Sequence, residues 1–213
     1  IDDEKELLAE TVIISTGASA KYLGLEDEQK YAGMGVSACA TCDGFFYRKK
    51  VVAVVGGGSA AFTEALYLSK LCKKVYLIHR RDSFRAEKSL VDKLKALSDK
   101  NVEFIVNARV DEYLGDGGIL KGVRLDIAGE KKDLMLDGVF VAVGHKASTE
   151  IFDNDLELEN GIIKTGYQSA TSTSCKGVFA AGDCADGKYR QAITSAGTGC
   201  MAALDAISYL EKQ

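Results

Sequence analysis

Two cysteines two residues apart, Cys39-Ala40-Thr41-Cys42, are followed at once by Asp43. Such a pair can close a small disulfide ring, and two sulfurs so near depress the pKa of one thiol. The same spacing can supply half of a tetrahedral zinc site, or simply two small buried side chains. Zinc needs four ligands, normally two such pairs. Here Cys72, Cys175, Cys184 and Cys200 are scattered, and His79 and His145 are the only histidines, so no metal is expected. Inert buried cysteines do not require the polar Thr41 and Asp43 beside them. A redox couple is the favoured reading. Asp43 then moves a proton to or from the outgoing thiolate if desolvation raises its pKa; its plainer role is a helix cap or turn.

A second cluster, Gly56-Gly57-Gly58-Ser59-Ala60-Ala61, fits the pattern G-x-G-x-x-A between an apolar run and a helical pattern. Gly56 permits the tight turn, and Gly58 lets a pyrophosphate approach the backbone. Ala61 allows close helix–strand packing, and Ser59 and Ala60 open a helix whose unpaired N–H groups suit an anion. The end of the following strand selects the dinucleotide. An NAD site offers an acid about 20 residues on, for the ribose diol. This chain offers "HRRDSFR", with His79, Arg80, Arg81 and Arg85. Guanidinium forks match a phosphate, so NADPH is favoured over a merely solvated basic loop.

A hydride donor and a disulfide need an intermediary, because hydride goes to carbon or flavin nitrogen whereas disulfide exchange runs through thiolates. "GVFAAGDCAD" followed by "RQAITSAGTG" offers a flavin a place. Asp183 suits the ribityl chain, and a helix beginning near Gln191 and Ala192 points its positive end at the N1–C2 carbonyl edge. As a bare pattern this is equally a plain strand–turn–helix.

These residues need elements to hold them. The run "VVAVVGGGSAAFTEALYLSKL" passes from strand to helix, with Ala61, Ala65, Leu68 and Cys72 on one face, and "KVYLIHRR" completes a βαβ unit. Further strands are expected over Thr11–Ala18, within "NVEFIVNARVDEYL", over Asp137–His145 and over "GVFAA"; "KSLVDKLKAL" is an amphipathic helix. The Gly115–Gly118 turn implies a small antiparallel insert. A last helix carries Ile193, Ala196, Cys200, Ala203, Ile207 and Leu210 on one face. The class is α/β: a three-layer, Rossmann-like NADPH-binding domain over 19–147, inserted into part of a second dinucleotide-binding domain made of 1–18 and 148–213. At 213 residues with a net charge of −4, the chain gives no reason to expect nucleic acid or an anionic membrane as partner. No apolar run approaches the roughly 18 residues of a membrane span. The acidic start is no secretion signal, which argues for a cytoplasmic protein. Proline is absent where about ten would be usual.

Together "STGASAKYLGL", "GVSACATCDGFFYR", "HRRDSFRAEK", "GVFAAGD" and "YRQAITSAGTGCMAALDA" closely resemble low-molecular-weight bacterial thioredoxin reductase, in order along nearly the whole chain. The resemblance implies a homodimeric FAD enzyme that passes electrons from NADPH through the CxxC disulfide to thioredoxin. It implies that Cys42 faces the flavin, Cys39 attacks the thioredoxin disulfide and Asp43 is the acid. It also implies a large rotation of the NADPH module. Thr16, Gly17, Gly144, Gly182 and Arg190 join the cofactor-binding candidates. The family carries another glycine motif, for the FAD pyrophosphate, roughly a hundred residues before this chain begins. The chain is therefore expected to be a C-terminal portion, lacking that FAD-binding segment. Glu26, Ala147 and Lys176 stand where the family commonly has proline. The alternatives are an NADPH-binding module with an incomplete FAD lobe, and a reductase serving a peroxidase-linked partner.

Overall fold

The computed structural model describes residues 6–213. Residues 1–5, which open the segment 1–18 expected to belong to the flavin-side domain, lie outside the described residues. In chain order the elements are β1 (Val12–Ile14), β2 (Ala18–Ala20), β3 (Val36–Ser37), α1 (Ala40–Asp43), β4 (Val51–Val55), α2 (Ser59–Leu68), β5 (Lys74–Ile78), α3 (Lys88–Lys95) and β6 (Val102–Ile105). There follow β7 (Ala108–Asp116), β8 (Ile119–Ile127), β9 (Glu130–Met135), β10 (Gly138–Val141), β11 (His145–Ala147), β12 (Leu158–Glu159), β13 (Ile162–Ile163), β14 (Val178–Ala180) and α4 (Ala192–Leu210). Two compact units result. A central one runs from Ala20 to Gly144, and a flanking one comprises the segments up to Ser19 and from His145 to Gln213.

The central unit is built on a five-stranded parallel sheet in the order β3-β10-β4-β5-β6. Its apolar runs are continuous because both faces are covered. Val52 and Val54 of β4 face the helices, packing with Phe62, Leu68 and Leu94. Ala53 and Val55 face the other way, against Tyr113, Val123 and Leu125 of the antiparallel sheet β7-β8-β9. Each fully buried valine or leucine contributes about 1.5–3 kcal/mol. Helices, parallel sheet and antiparallel sheet thus make three layers. On α2, Ala61, Ala65 and Leu68 are fully buried, as their spacing marks out, but the helix ends at Leu68, so Cys72, expected on the same face, is buried in the turn beyond it.

Several boundaries differ from the sequence reading. "NVEFIVNARVDEYL" is two strands in two different sheets. Asn107 sits at φ +53, a left-handed conformation that Asn tolerates, and turns the chain from β6 into β7. The segment 11–18 also divides, with Gly17 at φ +74 between β1 and β2. Asp137–His145 ends as a strand at Val141. Gly117 and Gly118 (φ +56 and +81) make the tight turn from β7 to β8, and β9 adds a third strand to the insert.

In the flanking unit β1 pairs in parallel with β14, and α4 packs on β14 through Phe179, Ala202 and Ala206. The helix face that carries Ile193, Ile207 and Leu210 is not the buried one: these residues are 79%, 53% and 39% exposed. Small side chains at 202 and 206 let the helix lie close to Phe179, so the bulkier residues fall on the outside. Asp205 sets this rotation by accepting hydrogen bonds from Ser169 Oγ (2.7 Å) and from Thr171 Oγ1 (2.6 Å) and N–H (3.1 Å).

Gly35 ties two layers of the central unit. It holds φ +134, and a Cβ added there would lie 2.2 Å from Leu120 Cβ. Gly35→Ala is expected to lower the unfolding free energy by about 2–5 kcal/mol in a urea titration. Gly58→Ala, whose new Cβ meets nothing within 4 Å, should change it by less than about 1 kcal/mol.

Candidate functional site

In the central unit, Cys39 and Cys42 form a disulfide, with Cα atoms 5.3 Å apart. Cys39 caps the one-turn helix α1, and Cys42 N–H donates to its sulfur at 3.2 Å. Cys42 is exposed and Cys39 half-buried. Ser37, buried at the end of β3, joins the pair to the acid. Its Oγ accepts from Cys39 N–H at 3.1 Å and donates to Asp43 Oδ2 at 2.7 Å. That hydroxyl fixes Asp43 relative to the cysteine loop, a link that CxxC spacing alone does not reveal. Tyr47 stands close by; burial raises its pKa first, and the charges of Asp43 and Asp137 raise it further.

The glycine turn opens on a cleft of about 540 Å3 at the carboxyl ends of the parallel strands. A Cβ at Gly56 would press on Ala142 O at 2.5 Å, and one at Gly57 on the His79 ring at 2.3 Å. Gly58 faces open space and leaves α2 without a side-chain cap, so first-turn N–H groups remain for a ligand. Gly56, Gly58, Ser59, Ala60, His79, Arg80, Arg81, Arg85 and Gly144 all line the cleft, while Ala61 is buried beneath it. The basic loop is stitched to the glycine turn. Arg85 N–H donates to Gly57 O at 2.8 Å and Glu87 N–H to Ser59 Oγ at 3.1 Å. His79 is held below its ordinary pKa by burial, aided by Arg80, Arg81 and Arg85 and opposed by a backbone hydrogen bond at Ser83. Neither Cys39 nor Cys42 lines this cleft. Arg109 does, on β7. Reading 101–114 as one strand hides it, and the asparagine two residues earlier is the signal for the turn that brings it there.

The flanking unit holds a smaller cavity of about 230 Å3, lined by Ser15, Gly17, Ala181, Gly182, Asp183 and Ser195. Asp183 Oδ1 accepts from Ser195 Oγ at 3.0 Å, and Gly182 N–H donates to Thr198 Oγ1 at 3.0 Å. Thr16 lies outside the cavity lining and spends its hydroxyl on Ser148 O. Gln191 caps α4 in a reciprocal box with Thr194, so part of the helix's positive end is already occupied; Ala192 is the first helical residue. Arg190 holds φ +48, and its Nε is buried without a partner. Burial lowers the His145 pKa, Arg190 lowers it further and Asp183 opposes both, which puts the two charges about one imidazole.

Residues 1–199 match the family model described as pyridine nucleotide-disulphide oxidoreductase. A thioredoxin reductase of Vibrio cholerae is 55% identical over 217 residues, spanning 99% of this chain and 68% of its own length. A Pseudomonas fluorescens protein named glucosaminate ammonia-lyase is 53% identical, spanning 98% of this chain and 67% of its own. The solved thioredoxin reductase of Giardia duodenalis superposes with a TM-score of 0.88 at 40% identity, covering 98% of this chain and 68% of that one. The chain spans about two thirds of the length of these relatives.

Of the six cysteines, Cys175 and Cys200 are exposed free thiols, Cys72 and Cys184 are buried, and burial followed by the charge of Asp137 pushes the Cys72 thiol up to about 11. A chromogenic disulfide reagent should therefore titrate two thiols rapidly in the native chain, four after unfolding and six after reduction. Four rapid thiols in the native chain would contradict the arrangement.

Proposed function

The chain belongs to the pyridine nucleotide-disulphide oxidoreductases and, within them, to the thioredoxin reductases; we propose that it carries the nicotinamide-binding and disulfide-bearing part of such an enzyme. NADPH is the reductant, FAD the intermediary and thioredoxin the acceptor. The carrying observation is the pairing, in one unit, of the Cys39–Cys42 disulfide beside Asp43 with a glycine-walled cleft lined by four arginines, Arg80, Arg81, Arg85 and Arg109.

The residues fit the groups they would hold. The bare Gly58, the uncapped start of α2 and the forks of Arg80, Arg81 and Arg85 suit a dinucleotide with an extra phosphate. The orphaned Arg190 Nε and the cavity walled by Gly17, Gly182 and Asp183 suit the flavin, and Thr16, Gln191 and Ala192 are proposed with them from the resemblance. Bound flavin supplies the step from hydride to paired electrons. The chain's own residues do the rest. Asp43, steadied by Ser37, carries the proton for the thiolate that leaves when the disulfide opens. By the resemblance, Cys42 would be the sulfur that faces the bound flavin, and Cys39 the one that attacks the partner disulfide.

No helix among the described residues is long and apolar enough to cross a membrane. Four unpaired cysteines support a reducing, cytoplasmic compartment. The exposed apolar side chains of α4 support the homodimer we propose for the intact protein. The name of the Pseudomonas relative points to a different reaction, but the disulfide and its acid favour the reductase.

The test supplies the FAD-loaded protein with NADPH, thioredoxin and a chromogenic disulfide. Turnover should be abolished by Cys42→Ser; turnover that persists in that variant defeats the assignment. A colourless protein that retains NADPH affinity reduces the reading to a nicotinamide-binding module. Arg80→Ala combined with Arg81→Ala should raise the KM for NADPH at least tenfold while moving that for NADH less than about twofold, since each charge-assisted bond is worth about 1.5–3 kcal/mol.

A further inference from the structure

Helix α2 carries a carboxyl where a core side chain belongs. Glu64 is itself only partly buried, and sits three residues after Ala61, beside the fully buried stripe of Ala61, Ala65 and Leu68. Ala40, the residue after Cys39, packs in the same apolar cluster. Glu64 Oε2 is buried and has no hydrogen-bond partner. Burial pushes the Glu64 pKa up to about 7, opposed by the Ala40 N–H, which favours the ionised form. The titratable groups on the elements packed against α2 are Asp43 on α1, Tyr47 after it, Lys74 and Tyr76 on β5, and Lys88, Asp92, Lys93 and Lys95 on α3. Lys74 is paired with Glu103 and Lys88 with Asp92, and none of these groups is an ion-pair partner of Glu64. As a structural element the acid is a poor choice: a buried, half-satisfied carboxylate is destabilising, and glutamine or leucine would fill the space without it.

We propose that Glu64, on the helix against which α1 packs, is a positioning residue for the Cys39–Cys42 couple and takes up a proton when the disulfide is reduced. This rests on Cys39–Cys42 being the working redox pair. The balance is simple. Reduction breaks the S–S bond and brings in two electrons. One sulfur gains a proton as a thiol and the other stays a thiolate. The new negative charge disfavours a second one on α2, so Glu64 binds one further proton from solvent. Oxidation by a disulfide removes two electrons, re-forms the S–S bond, and returns both protons. Above neutral pH Glu64 is ionised in the oxidised state, and reduction there must either protonate it or set two charges side by side.

Equilibrating the chain with dithiothreitol buffers between about pH 6 and pH 8.5, with alkylation and mass analysis as the readout, tests this. At the acid end, wild type and Glu64→Gln should share one equilibrium constant within twofold, because both side chains are neutral. At the alkaline end the variant should be reduced about tenfold more readily, which is about 30 mV for this two-electron couple. Carbon NMR of the Glu64 carboxyl in the unmutated chain gives a second readout, with a titration midpoint that should rise on reduction. A ratio that stays flat with pH, or a midpoint that ignores redox state, overturns the inference while leaving the reductase assignment intact. A disulfide that resists dithiothreitol in both proteins overturns both.

Discussion

The contact between Ala40 and the Ala61–Ala65–Leu68 stripe is the constraint on which the central unit depends. It clamps the one-turn helix bearing the disulfide onto the helix whose first turn faces the cleft. A four-residue helix has no stability of its own; it persists because small side chains let it lie flat on α2, and because Gly44 admits Leu68 and Tyr67 where a Cβ would meet both at 3.0 Å. One helix therefore fixes two sites. Its first turn faces the cleft, and α1 with the disulfide packs on its flank.

That economy has a consequence for electron flow. The cleft and the disulfide belong to one unit, yet neither cysteine lines the cleft. A nicotinamide held there has no disulfide to attack, and the chemistry of hydride and thiolate would not match if it had. A carrier must collect electrons in one place and give them up in another. The flanking unit offers the polar, partly unsatisfied groups such a carrier would use: Asp183, Arg190 and the glycine walls.

The junction of β4, the glycine turn and α2 is legible in the sequence because three local signals coincide: a β-branched run, glycines that admit close neighbours, and helical spacing of small residues. The two-glycine turn between β7 and β8 is legible for the same reason. What escapes is decided by tertiary partners. Asn107 diverts the chain into a second sheet, and a single asparagine is a faint local sign of it inside an otherwise strand-like run. On α4 the bulky apolar stripe draws the eye, but Ala202 and Ala206 are the side chains that pack on Phe179. Glu64 reads as a solvent-facing residue until Ala40 is seen opposite it. Ser37 reads as one more strand residue until its hydroxyl is found between Cys39 and Asp43.

The central claim is that electrons reach Cys39–Cys42 from NADPH only through a flavin. The direct measurement is anaerobic addition of NADPH to the protein with and without FAD, followed by quenching and alkylation of Cys39 and Cys42. The account predicts two new alkylated cysteines with FAD and an intact disulfide without it. Equal alkylation in the two samples, or a disulfide that survives NADPH in the flavin-loaded protein, would contradict it.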